Sequence, residues 1–298
     1  MKRIFLLFLV IITLLCGCAS REKTAQVAAT TLPVYEFTSR LCEGTGITVT
    51  RLVTEEVSCL HDYSLNVKQV RAAEAAEVVV ISGAGLEEFL DDVLLNAHTI
   101  DSSEGIALLC PGESHNHGHE EEAHSHGHDG HHHDRDPHIW LSPENAKVMV
   151  SNIFNGLSGQ YPQHIAAFAA NERKLLDDLD ALQAYGQQAL SGLPHKELIT
   201  FHDGFAYFAD AFGLVILEAI EEESGSEASA RELIHLIEEV QYHDLPAIFT
   251  EKSGSVSAAD IIARETGCKS YALDMAMAGD SYFDAMYHNI NTIKEALG

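Results

Sequence analysis

Basic residues are scarce: 18 Lys and Arg stand against 45 Asp and Glu in 298 residues, giving a net charge of −27. Such a chain repels nucleic acid and anionic lipid and draws cations toward it. Tryptophan occurs once, and the sequence contains no Gly-Lys dipeptide, no CxxC, no HExxH and no GxSxG. Those motif absences exclude, in turn, a Walker phosphate loop, a paired-cysteine redox or metal site, and the local signatures of a zincin and a serine hydrolase. No apolar run reaches the roughly 20 residues that a membrane-spanning helix needs. Ile4 to Leu15 comes nearest; it follows Lys2-Arg3 and ends in Leu15-Cys16-Gly17-Cys18.

A basic start, a short apolar run and a small-residue cleavage site make an export signal over residues 1–17. Leu-x-Gly-Cys resembles a bacterial lipobox, which implies that Cys18 becomes the mature N-terminus and carries lipid on its sulfur, with residues 18–24 as a polar tether. The expectation is an extracytoplasmic body, lipid-anchored to the bacterial cell membrane, in a compartment that permits disulfides. Cys42, Cys59, Cys110 and Cys268 remain after cleavage, and their spacing leaves both disulfides and buried thiols open.

The body is long enough for two domains of ordinary size. Strand-like segments at Gln26 to Leu32, Ile47 to Val53, Glu77 to Ser82 and Gly105 to Cys110 alternate with helical spacing at Val34 to Glu43, Val67 to Ala76 and Leu86 to Asn96. Ser142-Pro143-Glu144 opens a further helix with a capping signal. From Gln163 to Leu190, Phe168, Leu175, Leu176, Leu179 and Leu182 recur at helical spacing with no glycine before Gly186, which predicts one long helix. The alternation then resumes, with strands at Glu197 to Phe201, Leu214 to Ala219, Ala247 to Thr250 and Lys269 to Leu273. Unbroken Val/Ile runs between helices predict an α/β fold: two lobes with mostly parallel sheets flanked by helices. The expected division is an N-terminal lobe over 25–162, a linking helix over 163–191 and a C-terminal lobe over 192–298. Ligands in such sheets bind beyond the carboxyl ends of strands, where His202, Glu251 and Asp274 fall.

Nine of the eighteen histidines crowd into one low-complexity loop, 114–136: His115, His117, His119, His124, His126, His128, His131, His132 and His133. Imidazoles at that density, mostly neutral at pH 7, form a weak auxiliary site for Zn²⁺, Cu²⁺ or Ni²⁺. The loop has too little apolar surface to fold by itself. Elsewhere His61, His138, His202 and Asp274 stand in short distinctive segments, and three imidazoles with one carboxylate make a tetrahedral zinc set. Taken singly, each has a bland explanation, since a lone histidine at a strand end is more often a structural residue than a ligand. Glu251 either orients a ligand imidazole or is a surface acid at a strand end. His98, His164, His195, His235, His243 and His288 lie among polar helix and loop positions and read as structural or solvated.

Together, the His61-Asp62-Tyr63 segment, the His-rich insert before Asp136-Pro137-His138-Ile139-Trp140-Leu141, His202-Asp203-Gly204-Phe205 with Tyr207-Phe208, and Asp274 ahead of the last helix resemble one family. It is the zinc-binding solute-binding lipoproteins of bacterial ABC importers, and the resemblance runs from about Val27 to Leu297. It implies a rigid linking helix, a metal site in the interlobe cleft and His61, His138, His202 and Asp274 as ligands of Zn²⁺, the transported ion. It also implies a monomer that feeds an ABC permease and, through it, an ATPase subunit, and that is not itself an enzyme. Manganese-specific relatives place a carboxylate at the third position, where this chain has His202; a nitrogen there favours Zn²⁺. Leu60 and Met275 depart from the pattern, standing where relatives often carry proline. The alternatives are a zinc-dependent hydrolase, which Asp274 as fourth ligand argues against by closing the site, and a passive surface metal buffer or adhesin, which leaves the ordered two-lobe body unexplained.

Overall fold

The computed structural model describes residues 25–55, 60, 63–95, 97–110, 135–220, 229–252 and 256–298. The signal segment, Cys18, His61 and the histidines of the loop lie outside them. Among the described residues no helix is long and apolar enough to cross a membrane.

Two four-stranded sheets, parallel throughout, carry the chain. The first is ordered β2-β1-β3-β4, with β1 at Val27–Ala29, β2 at Val49–Arg51, β3 at Val78–Ile81 and β4 at Thr99–Asp101. The second is ordered β6-β5-β7-β8, with β5 at Glu197–Thr200, β6 at Val215–Ala219, β7 at Ala247–Glu251 and β8 at Lys269–Leu273. Helices α1 (Leu32–Leu41), α2 (Val67–Ala75) and the short α3 (Asp91–Leu94) belong to the first half; α4 (Pro143–Gln160) and α5 (Ile165–Leu190) follow. Helices α6 (Ala206–Phe212), α7 (Ala230–Tyr242), α8 (Ser257–Thr266) and α9 (Tyr282–Leu297) complete the second.

The two halves repeat one topology in one register. Thr30 N bonds Val80 O as Phe201 N bonds Phe249 O, and Leu52 N bonds Ala29 O as Ile220 N bonds Thr200 O. Ala29 therefore corresponds to Thr200, Thr31 to His202 and Ser82 to Glu251. Pairing of Ile81 with Asp101 and of Thr250 with Ala272 makes Ser103 the counterpart of Asp274.

Side chains alternate across a strand, and the core follows that period. Val27, Ala29, Val78 and Val80 of the first sheet and Leu198, Ala247 and Phe249 of the second face one continuous core, which also takes in Trp140, Phe168, Phe208, Tyr282 and Ile290. The intervening residues face outward into two smaller clusters, Ala28, Leu52, Val79 and Leu90 on one side and Ile199, Leu236, Ile248 and Ile262 on the other. Both sheets are thus buried on both faces, which is why their strands read as continuous apolar runs. Helix α5 packs along α1, α4 and α9, with an Arg40–Asp178 ion pair tying it to α1. Gly186 on α5 lets the Phe212 ring approach so closely that a Cβ there would stand 2.2 Å from it.

Two expected elements differ. The fourth strand is Thr99–Asp101, not Gly105 to Cys110. Ser103 N and Oγ both donate to Asp101 Oδ1, which turns the chain at the strand end; Asn152 Nδ2 then takes the Ser102 and Glu104 carbonyls, and Gly105 turns at φ 81°. Leu86 to Asn96 is not one helix. A 3₁₀ turn over Glu88–Leu90 precedes α3, because Glu87 is drawn back to bond Ser82 N and Gly83 N.

Candidate metal centre

The strand ends of the second sheet bring His202 and Glu251 together. Thr200 Oγ1 donates to His202 O, fixing the backbone as it leaves β5, and Glu251 Oε1 lies 3.1 Å from His202 Nδ1. Across from them His138 precedes the 3₁₀ turn Ile139–Leu141. Asp136 Oδ1 accepts both the His138 backbone N–H and its Nδ1–H, each at 2.8 Å. Neither carboxylate has water to turn to: Asp136 and Glu251 are 6% and 5% exposed. The Asp136 carboxylate accepts from His138 Nδ1, which holds that ring as its Nδ1–H tautomer with Nε2 as the open donor atom, and the Glu251 carboxylate stands at Nδ1 of the other ring.

The two Nε2 atoms face each other. His138 Nε2 and His202 Nε2 stand 3.2 Å apart, with ring centroids at 5.0 Å and planes at 85°. The two nitrogens are within hydrogen-bonding distance, and a cation that takes a lone pair from each would stand between them. Zinc at ~2.0–2.1 Å from each nitrogen in a tetrahedron would set the pair about 3.3–3.4 Å apart. Gly204 keeps this space open, since a Cβ on it would meet Met275 Cε at 2.6 Å, His202 Cδ2 at 2.7 Å and His138 Cε1 at 3.1 Å.

Asp274 leaves β8 with its backbone held both ways by Asn289, whose Oδ1 accepts the Asp274 N–H and whose Nδ2 donates to the Asp274 carbonyl. Its Oδ1 accepts the Ala276 N–H at 2.8 Å, and its Oδ2 lies 3.4 Å from Lys252 Nζ. Ala276 adopts a left-handed φ of 56°, a conformation that costs a non-glycine residue about 1–2 kcal/mol. That turn is gripped from the first half of the chain: Trp140 Nε1 donates to Met275 O and Leu32 N to Met277 O. Tyr282 O–H in turn donates to Trp140 O, and both rings are fully buried. The sole tryptophan is thus the joint between the His138 segment and the Asp274 turn.

Among the described residues no group of three or more candidate ligands stands close enough to hold an ion. The structure brings His138, His202, Asp136 and Glu251 into one cluster and leaves the Asp274 carboxylate turned to Ala276 and Lys252. His61, the fourth expected ligand, lies outside the described residues; Glu55, Leu60 and Tyr63 on either side of it are described. Tyr63 O–H donates to Glu55 Oε2, and Gln69 Nε2 donates to Leu52 O, Glu55 and Tyr63, so both chain ends that lead to His61 are tied to α2. The expected loop 114–136 reaches the cluster at its exit. Tyr207 accepts the Leu109 N–H and donates to Asp136 O, and burial pushes its hydroxyl up to about 12, so it remains a donor at neutral pH.

Sequence reasoning did not single out Asp136, Trp140 or Lys252. Asp136 was hidden by its neighbours, since it reads as the last acid of the loop. The Asp-Pro-His order was the available signal: it places a carboxylate two residues before an imidazole.

The model of the ZnuA family, the periplasmic component A of zinc-uptake complexes, matches residues 27–296. Zinc-binding lipoprotein AdcA of Streptococcus pneumoniae is 30% identical over 317 residues, which cover 99% of this chain and 61% of AdcA. A putative metal-binding protein of Treponema pallidum is 29% identical over 79% of this chain and 76% of its own. The crystal structure of a ZnuA deletion mutant with zinc bound matches with a TM-score of 0.75 at 29% identity, over 92% of this chain and 98% of that one. This chain spans about three fifths of the length of the AdcA relatives it matches. On the extent of the family match and the shared two-lobe fold, the chain belongs to the ZnuA family of zinc-uptake components.

Proposed function

We propose that this protein captures Zn²⁺ outside the cytoplasm and delivers it to an ABC-type importer, with His61, His138, His202 and Asp274 as the ligands. The observation that carries the reading is the His138–His202 pair, two Nε2 atoms 3.2 Å apart, each backed by a buried carboxylate at Nδ1. That spacing is close to one edge of a zinc tetrahedron, and the carboxylates raise the basicity of the nitrogens that would bind. Asp136 and Glu251 are the orienting residues.

The wider assignment follows the family. Residues 1–17 are a signal peptide, Cys18 carries the lipid anchor, 25–162 and 192–298 are the two lobes, and 163–191 links them. The protein works as a monomer against a permease whose ATPase subunit supplies the energy. It performs no chemistry on the ion, and the hydrolase alternative finds no support in the family. The nine histidines of 114–136 collect Zn²⁺ weakly.

The test is zinc titration of the purified body from residue 24 onward, with and without residues 114–135, read by direct metal analysis and by Trp140 fluorescence. The reading predicts one tight site that survives loop deletion, with the weak sites lost. Loss of the tight site on loop deletion, with circular dichroism unchanged, would falsify it.

A further inference from the structure

Lys252 follows Glu251 directly at the end of β7, and its Nζ stands 3.4 Å from Asp274 Oδ2. The other carboxylate oxygen is committed to the Ala276 N–H. The Asp274 backbone is fixed, because Asn289 holds its N–H and C=O and the turn after it is gripped by Trp140 and Leu32, so its carboxylate moves only about its own side-chain torsions. Oδ2 is therefore the oxygen that Asp274 can turn to a cation, and the ammonium is beside it. The pair is unequal: the Lys252 side chain is 66% exposed and that of Asp274 18%. A hydrated point charge on a flexible stem can leave such a pair at little cost, whereas the carboxylate stays on its fixed backbone.

We infer that Lys252 is a built-in counter-cation for Asp274 that weakens zinc binding and speeds zinc release. The inference rests on the zinc-site reading above. A divalent ion and an ammonium repel each other across one carboxylate oxygen, so zinc displaces the lysine into solvent, and the return of the ammonium to Oδ2 favours departure of the ion. One strand end thus acts in two directions, Glu251 supporting the His202 imidazole and Lys252 competing for the carboxylate of Asp274. A receptor that must hand its cargo on has use for both.

The experiment compares wild type, Lys252→Gln and Lys252→Arg by zinc competition titration and by stopped-flow release into excess chelator, at low and high salt. Lys252→Gln is expected to bind zinc about three- to tenfold tighter at low salt, chiefly through slower release. The difference shrinks as salt screens the exposed ammonium, and Lys252→Arg stays near wild type. In an Asp274→Asn background the Lys252→Gln change is expected to do nothing, which separates contact with Asp274 from a general effect of charge. Equal affinity and release rate for wild type and Lys252→Gln at low salt overturns the inference, as does an undiminished gain in the Asp274→Asn background. Failure of the zinc-site reading looks different: wild type itself then lacks a tight zinc that His138→Ala removes, and the role of Lys252 falls with it.

Discussion

At the ends of β5, β7 and β8 stand His202, Glu251 and Asp274; in the same register, at the ends of β1, β3 and β4, stand Thr31, Ser82 and Ser103. The scaffold is the same in strand order and direction, and helices cover both sheets. The difference lies in the side chains at corresponding positions. On the second sheet they are one imidazole and two carboxylates. On the first they are short hydroxyls: Thr31 and Ser82 are wholly buried, and their Oγ atoms find no partner among the described residues. Parallel α/β topology supplies a row of strand ends in each lobe, and the two rows differ in whether the residues at those ends carry groups that can ligate a metal. The position after each third strand makes the same point: Lys252 in one lobe, and in the other Gly83, where a Cβ would fall 1.9 Å from Asp101 Oδ1.

The largest expected effect breaks the second row. A four-ligand zinc site is worth about 10–16 kcal/mol, so each ligand accounts for about 3 kcal/mol, or roughly a hundredfold in affinity. Either His138→Ala or His202→Ala is expected to raise the zinc dissociation constant by at least about a hundredfold, measured against a chromophoric chelator. The same measurement on Ser82→Ala and Ser103→Ala should return wild-type affinity; if a hydroxyl variant lost zinc as the histidine variants do, the contrast between rows would collapse.

The next effect belongs to the first row and is read in stability. Glu87, fully buried among Thr30, Ser82 and Gly83, accepts three hydrogen bonds, yet burial outweighs them and pushes its carboxyl up to about 7, with Asp101 adding in the same direction. The unfolded chain titrates this group near 4.5, so between about 4.5 and 7 the folded state holds more protons. Stability from this group is fully present below pH 4.5 and is lost as pH rises to 7, by up to about 3 kcal/mol. Glu87→Gln removes that slope. The check is the difference between wild type and variant in urea melts from pH 4.5 to 7.5, since other carboxylates cancel; a difference independent of pH refutes the assignment.

A smaller effect tests how the second row is held. Asp136→Asn and Glu251→Gln keep the shape and remove the charge behind each imidazole, and changes of this kind cost about ten- to a hundredfold in metal affinity. Both should retain the wild-type melting temperature within a few degrees while losing zinc by that factor. Their failure to do so would mean that Gly204 packing alone sets the ring positions.

Most of this second row is legible in the sequence. Continuous Val/Ile runs gave the strands because both faces of each sheet are covered, and the long helix showed itself in the spacing of Phe168, Leu175, Leu179 and Leu182. His138, His202 and Asp274 stood in recognisable segments, and the strand-end positions of His202 and Asp274 followed from the alternation. What hid was relational. Asp136 looked like part of the acidic loop until its hydrogen bonds to His138 were seen. The grip of Trp140 on the Met275 carbonyl joins residues 135 apart in the chain, and nothing local announces it. The fourth strand was misplaced because Ile106, Leu108 and Leu109 are apolar but half-buried against the core without pairing, while Thr99–Asp101 pairs despite a polar sequence.

The smallest effect completes the contrast. Thr31 opens α1 without capping it, for its side chain accepts no helix N–H, and its buried Oγ1 has no partner among the described residues. An unmet buried hydroxyl contributes a desolvation cost of about 1–3 kcal/mol and no bond to offset it. Valine keeps the branched shape and replaces that oxygen with a methyl group. Thr31→Val is therefore expected to leave zinc affinity unchanged and to raise stability by about 1 kcal/mol or less, part of the gain being lost to the slightly larger methyl in a packed core. Urea denaturation of the two proteins side by side decides it. A loss of stability of more than about 1 kcal/mol would show that Oγ1 is bonded after all, through water or a neighbour, and that the first row does polar work of its own. A loss of zinc affinity would go further, and would put Thr31 in the same functional class as its counterpart His202.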